Sequence, residues 1–347
     1  MFPTPQAPGK IKHLFNMHTP KIYFYFPKDF LARDLPNSLD GDWLPLSETS
    51  IGGSYLMYVG LQTFGFPCKA VSHLPSDGIL IGDASALQPL KWFPEQLYVV
   101  CFQLDWPRHP FAQMHLVSNK EMTKPEWLGL ADRLTWSGPR VCLPGIPQRG
   151  LIGRDPARGE RFERVAYFGQ AKNLATPFRT PAWAERLRTI GVDFQVRGDA
   201  RQFGDYRDVD AVLAIRGEDF PGHNKPHSKL WNAWRAGVPA ILGPEYGYRE
   251  QRRAALDYLE AESPDEAFAA IARLKGDAVL RRSMVENGFA RAVECSPEAI
   301  VRAQVHFLEG ELQEEYKKWL ALGRSGRTAF RAIRHVRAAL AALRRSF

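Results

Sequence analysis

At 347 residues the chain exceeds what a single hydrophobic core ordinarily organises, so two domains are expected. Hydrophobic residues at 45% and charged residues at 24% exclude a disordered or fibrous chain, and no apolar run is long enough to span a bilayer. The net charge of +8 raises a nucleic-acid reading, but seven arginines and no acid follow Gly323, which leaves about +1 on the rest and makes nucleic acid an unfavoured partner.

Residues 1–20 are scattered with prolines, lack the continuous apolar stretch of a secretory signal, and are expected to be a loose lead-in. Lys21-Ile22-Tyr23-Phe24-Tyr25-Phe26 predicts a first strand, and residues 27–50 a polar insertion. Ile51-Gly52-Gly53-Ser54 opens a segment whose apolar positions recur at helical spacing until Gly65, so strand, glycine loop and helix follow in the order of an α/β domain. Gly52 and Gly53 would let the backbone approach a bound ligand, acceptor or donor, closely. Short strands are expected at residues 68–71, 78–82 and 97–102, and the Pro- and Gly-rich residues 136–153 approach a domain boundary. Cys68, Cys101, Cys142 and Cys295 are far apart with no CxxC pair, which argues against a zinc site or disulfide framework and fits a reducing cytoplasm.

A second alternating pattern begins with Val165-Ala166-Tyr167-Phe168-Gly169. A loop to residue 180, a helix over residues 181–189, and strands at 194–196 and 211–215 follow. Asp208-Val209-Asp210 has the form of a metal-binding DxD, yet it precedes its strand instead of following it, so it reads as strand entry with no metal. The most informative stretch is His223 to Glu250, HNKPHSKLWNAWRAGVPAILGPEYGYRE. Lys225-Pro226 closes a loop, His227-Ser228 can cap, residues 229–236 form a helix ended by Gly237, and residues 238–242 form a buried strand stopped by Gly243-Pro244. Lys229 at such a helix start is suited to an anion, because unpaired N–H groups and the helix dipole both favour phosphate. A further helix over residues 267–274, a long amphipathic helix over 297–322, and a basic tail complete the chain. In the tail, Phe330, Ile333, Val336, Leu340, Leu343 and Phe347 recur at three- and four-residue spacing with arginines elsewhere around the helix. Such a helix can lie on an anionic membrane.

Tyr167-Phe168-Gly169 with Asn173, the strand leading to Arg216, and Lys229 to Pro239 with its AxxxGVP ending resemble the GT-B class of nucleotide-sugar glycosyltransferases over residues 161–308. The resemblance implies an α/β protein of two Rossmann-like domains facing a cleft, with residues 21–158 on the acceptor side and 159–298 on the donor side. Residues 299–323 would pack back across the domains and 324–347 form the basic amphipathic tail. It implies a metal-independent glycosyltransferase without a cofactor, acting between a nucleotide sugar and a glycan or glycolipid acceptor. Donor contacts would come from Gly169, Asn173, Arg216, Lys225, Ser228, Lys229, Asn232, Glu245 and Arg249. Where many retaining members carry a Glu, seven residues and a second Glu, this chain has Asn224 and Asn232, so a retaining outcome is not implied. An acceptor-activating base is sought just beyond strand ends in the first half, at Asp83, Asp105 or His109. An epimerase on the same scaffold and a non-catalytic nucleotide- or glycan-binding module are the alternatives. The expected location is the cytoplasm, on the inner membrane face where the tail engages lipid.

Overall fold

The computed structural model describes residues 20–41, 43, 51–103, 106, 108–124, 138–217 and 225–344. They fall into two compact units, one made of the described residues within 1–41, 49–146 and 297–347, the other of those within 42–48 and 147–296.

In the first unit, strands β1 (Ile22–Tyr25), β2 (Lys69–Val71), β3 (Asp77–Asp83), β4 (Gln96–Phe102), β5 (Met114–Val117) and β6 (Arg140–Cys142) make a parallel sheet in the order β2-β1-β3-β4-β5-β6. β3 and β4 are apolar along nearly their whole length because they lie at the centre of a sheet covered on both faces. Helix α1 (Gly52–Thr63) buries Tyr55, Met57, Val59 and Leu61, and Gly65 ends it at φ +83°. β5 and β6 were not anticipated. β5 hides its strand character behind Gln113 and His115, and β6 is three residues within a Pro- and Gly-rich stretch.

The chain returns to this unit through helices α6 (Pro297–Glu309), α7 (Glu311–Ala321) and α8 (Gly323–Arg344). The expected continuous helix over 297–322 is therefore two, broken at Gly310, a residue with no side chain to hold helical geometry. Gln304 donates to the Pro144 carbonyl at 3.0 Å and the Gly78 N–H donates to Tyr316 Oη at 3.1 Å, tying α6 and α7 to the sheet.

The second unit carries β7 (Arg164–Phe168), β8 (Asp193–Arg197), β9 (Ala211–Ala214), β10 (Ala240–Leu242) and β11 (Leu259–Glu260), parallel in the order β11-β10-β9-β7-β8. Helices α2 (Pro181–Arg188), α3 (Ser228–Ala236), α4 (Pro264–Gly276) and α5 (Ala278–Glu294) accompany it. Gly237, at φ +69°, ends α3 and returns the chain to β10. From β7 the chain adds β8 on one side and β9 to β11 on the other. That reversal puts the topological switch point at the carboxyl ends of β7 and β9, the place where open α/β sheets bind ligands.

Asp208 and Asp210 anchor the strands at their opposite ends. Buried Asp210 accepts from Arg154, Arg158 and the Glu163 and Arg164 N–H groups, and Asp208 pairs with Arg164 and Arg197.

Candidate functional site

The switch point of the second unit gathers side chains from four connections. Tyr167 and Gly169 close β7, Arg216 follows β9, Lys229 sits in the first turn of α3, and Glu245 follows β10. Two glycines let these segments meet. A Cβ at Gly247 would stand 2.7 Å from the Lys225 carbonyl oxygen, and one at Gly243 would stand 3.4 Å from Ile215 Cα and 3.5 Å from Glu245 Oε1.

Arg216 Nε donates to Glu245 Oε2 at 2.9 Å, with only 10% and 9% of the two side chains exposed, and the guanidinium also bonds the Tyr248 hydroxyl. Burial alone would depress Arg216, but Glu245, Tyr248 and Tyr167 raise it above the ordinary guanidinium range and keep it charged. Lys229 Nζ lies 5.3 Å from the Tyr167 ring centroid and makes no ion pair among the described residues. Burial, reinforced by Arg216 and opposed by Glu245, brings its ammonium down to about 8. Tyr167 Oη and Glu245 Oε1 are buried without a hydrogen-bond partner. A buried cation with no direct ion pair, beside two polar atoms without hydrogen-bond partners, is suited to receiving a polar anion.

The remaining donor-side candidates divide. Gly169, at φ +141°, lies at the switch point, and Asn173 ends a short turn after it, half-buried. Lys225 is half-buried in the loop before α3, whereas Ser228 is exposed at the helix start and the residue in the N-cap position is His227. Two other candidates are engaged by partners of their own. Asn232 points into the interior, donating to Gln148 Oε1 at 2.8 Å and meeting the Tyr206 hydroxyl, because it falls on the buried face of α3. Arg249 is an exposed partner of Glu260 and Glu262 at 2.7 and 3.3 Å, since the one-turn helix Tyr246–Arg249 aims it toward β11. Asn224 lies outside the described residues. A concavity of about 750 Å³ opens elsewhere, along edge strand β8, where Arg197 and Asp208, and Arg207 and Asp205, already pair with each other.

In the first unit, Asp83 and His109 are both buried. Asp83 ends β3 wholly buried and accepts from the Ser54 N–H at 3.2 Å and from the Ser54 hydroxyl. Its carboxylate thus occupies the start of α1, where Gly52 and Gly53 form the first turn. Burial raises it to about 7 against the opposing pull of the Ser54 bonds. His109 is 1% exposed; its Nε2 stands 3.0 Å from the Leu87 carbonyl, its N–H donates to His115 Nε2, and burial lowers it to about 4. Both side chains are buried with partners inside the first unit. Asp105 lies outside the described residues.

No protein-family model matches the chain, and no curated protein sequence does. Among solved structures it is similar to the pneumococcal O-GlcNAc transferase GtfA in complex with UDP and GlcNAc, at 12% identity and TM-score 0.51, over 69% of this chain and 58% of that one. The chain has the GT-B fold. Sucrose-phosphate synthase from Thermosynechococcus elongatus matches at 14% identity and TM-score 0.46 over 75% of this chain and 78% of that one. AviGT4, a glycosyltransferase involved in avilamycin A biosynthesis, matches at 14% and 0.47 over 84% and 98%.

Within this GT-B chain, sequence reasoning missed Tyr248 as the second partner of Arg216. Its position three residues after Glu245, on one face of a helical turn, was the available signal.

Proposed function

We propose that the second unit binds a nucleoside diphosphate sugar and that the protein transfers its sugar to a glycan or glycolipid acceptor. The observation that carries this reading is the Lys229 ammonium, without an ion pair among the described residues, beside the Arg216–Glu245 pair at the sheet's switch point. The bond between the sugar's anomeric carbon and the diphosphate oxygen breaks, and negative charge grows on the departing diphosphate. Fixed cations placed before the reaction lower the energy of that charge, in this reading without a metal ion. Lys229 is the direct phosphate ligand, and Arg216, held by Glu245 and Tyr248, adds a second positive field. The lone Glu245 and Tyr167 oxygens offer hydrogen bonds to ribose or sugar hydroxyls. UDP is the first nucleotide to try, given the ligand of the pneumococcal transferase.

A thermal-shift screen with UDP, GDP, ADP, CMP and dTDP tests the reading, because a ligand bound only by the native state raises its stability. One diphosphate should stabilise the protein well beyond the others, and the matching sugar nucleotide should release that diphosphate only when an acceptor is present. Absence of stabilisation by every nucleotide would overturn the donor site. Binding without release across a panel of acceptors would leave a binding module, and isomerisation of the donor alone an epimerase.

A further inference from the structure

Tyr167 meets the site with two different surfaces. Its ring face carries the Lys229 ammonium, 5.3 Å from the centroid, where the ring quadrupole attracts the charge. Its hydroxyl reaches Gly169, just past the end of β7, where a Cβ would stand 3.0 Å from the phenolic oxygen. The glycine at φ +141° thus supplies both a backbone conformation and the room for this oxygen. Tyr167 is 1% exposed, and its hydroxyl has no hydrogen-bond partner among the described residues. For packing alone a phenylalanine would serve better, because a buried hydroxyl without a partner costs free energy that the ring does not recover. Burial raises the phenol above its ordinary range, Arg216 pulls against that and Glu245 adds to it, so at neutral pH the oxygen keeps its proton and can donate.

Glu245 Oε1 is the other buried oxygen without a partner, and the two differ in kind. With Arg216 on its Oε2, Glu245 is an ionised carboxylate that only accepts, so it repels phosphate and calls for an O–H of ribose or sugar. Of the two, only Tyr167 offers a proton to a phosphate oxygen. We infer that the Tyr167 hydroxyl donates a hydrogen bond to the diphosphate oxygen that parts from the sugar, which makes Tyr167 a catalytic residue; the inference rests on reading this switch point as a diphosphate site. In the intact donor that oxygen is shared with the anomeric carbon and is a weak acceptor. As the bond breaks, its electron pair stays on the oxygen, the acceptor oxygen forms the new bond to carbon, and the acceptor's proton passes to solvent or to the diphosphate. Tyr167 keeps its own proton, and its hydrogen bond strengthens as charge grows, which favours the departing state over the starting one.

Tyr167→Phe keeps the ring beneath Lys229 and deletes only the oxygen. Isothermal titration of the full chain with UDP and with UDP-GlcNAc, beside thermal melts, tests the inference; if the nucleotide screen selects another base, the diphosphate and sugar nucleotide of that base replace them. UDP bears the charge on the oxygen in question and should bind the variant at least about tenfold more weakly than the parent. UDP-GlcNAc should lose less than about threefold, because its bridging oxygen is uncharged. The melting temperature should stay equal or rise, since the hydroxyl has no partner in the protein to lose. UDP binding by the variant within about twofold of the parent's, equal losses for both ligands, or a lower melting temperature overturns the inference while the parent's own UDP binding leaves the donor site standing. A parent that binds none of the five diphosphates overturns both.

Discussion

Lys229→Met removes the ammonium and keeps the length of the side chain. In the protein without ligand, the ammonium is lowered from 10.5 to about 8, chiefly by burial. At about 1.36 kcal/mol per tenfold change in proton affinity, that difference corresponds to a native-state penalty of up to ~3.4 kcal/mol at neutral pH. Glu245 loses a favourable neighbour in the variant, so a net gain of about 1–3 kcal/mol is expected. The sign follows from the direction of the shift. Because the folded value lies below the unfolded one, the penalty is complete below about pH 8 and is relieved as pH rises toward 10.5. The parent should therefore gain stability over that window relative to Lys229→Met, and at pH 7 the variant should melt higher, by ~2–4 °C per kcal/mol. Nucleoside diphosphate binding should move the opposite way, weakening by about 1.5–3 kcal/mol. Binding to the parent should also fall as pH rises above about 8, where Lys229 must take up a proton to meet the phosphate, and binding to the variant should show no such fall. Isothermal titration and thermal melts from about pH 6.5 to about pH 10 measure both effects. A variant that is less stable than the parent at pH 7, or that binds diphosphate equally well, refutes the reasoning.

Glu245→Gln leaves the Arg216 charge buried without its counter-ion and should destabilise by ~3 kcal/mol in urea unfolding; a change below about 1 kcal/mol would show that the pair is solvated. For Asp83, whose folded value is raised from 3.8 to about 7, the native state takes up a proton earlier than the unfolded chain as pH falls. The parent should accordingly gain stability relative to Asp83→Asn between about pH 7 and 4, and the variant should retain glycosyl transfer; a folded variant without transfer would return Asp83 to the chemistry. Asn232→Ala strands Gln148 and Tyr206 in the interior and should cost about 1–3 kcal/mol with the nucleotide affinity intact. A nucleotide affinity that drops with Asn232 would instead place its amide on the ribose.

Much of the architecture was legible because the local signals agreed with one another. β1, α1, β3, β4, β7, α3 and β10 fall close to where apolar periodicity and glycine stops put them, and Gly65 and Gly237 both take the positive φ their positions imply. β5, β6, β11 and α5 were not legible. The strands are two to four residues long, and α5 has no sharp apolar face to distinguish it. The candidate site divides in the same way. Lys229, Arg216 and Glu245 follow a helix start, a strand end and a second strand end, and the rule that parallel sheets bind at their carboxyl edge groups them from the sequence. Asn232, Asp83, His109 and Arg249 carried polar side chains at suggestive places, yet their partners, Gln148, Ser54, Leu87 and Glu260, lie between 11 and 84 residues away in sequence.

By itself, then, the sequence determined the α/β class and where several strands and helices fall, since periodicity, glycine stops and helix capping are properties of short segments. Only the tertiary structure decided which polar groups face solvent. The choice between a substrate ligand and an interior cap depends on what the rest of the chain places opposite, and α8 shows this most plainly: its pattern of arginines and aliphatic residues was readable from the start, but which side it presents was settled by Glu95, the Pro94 carbonyl and Trp319 across the packing interface.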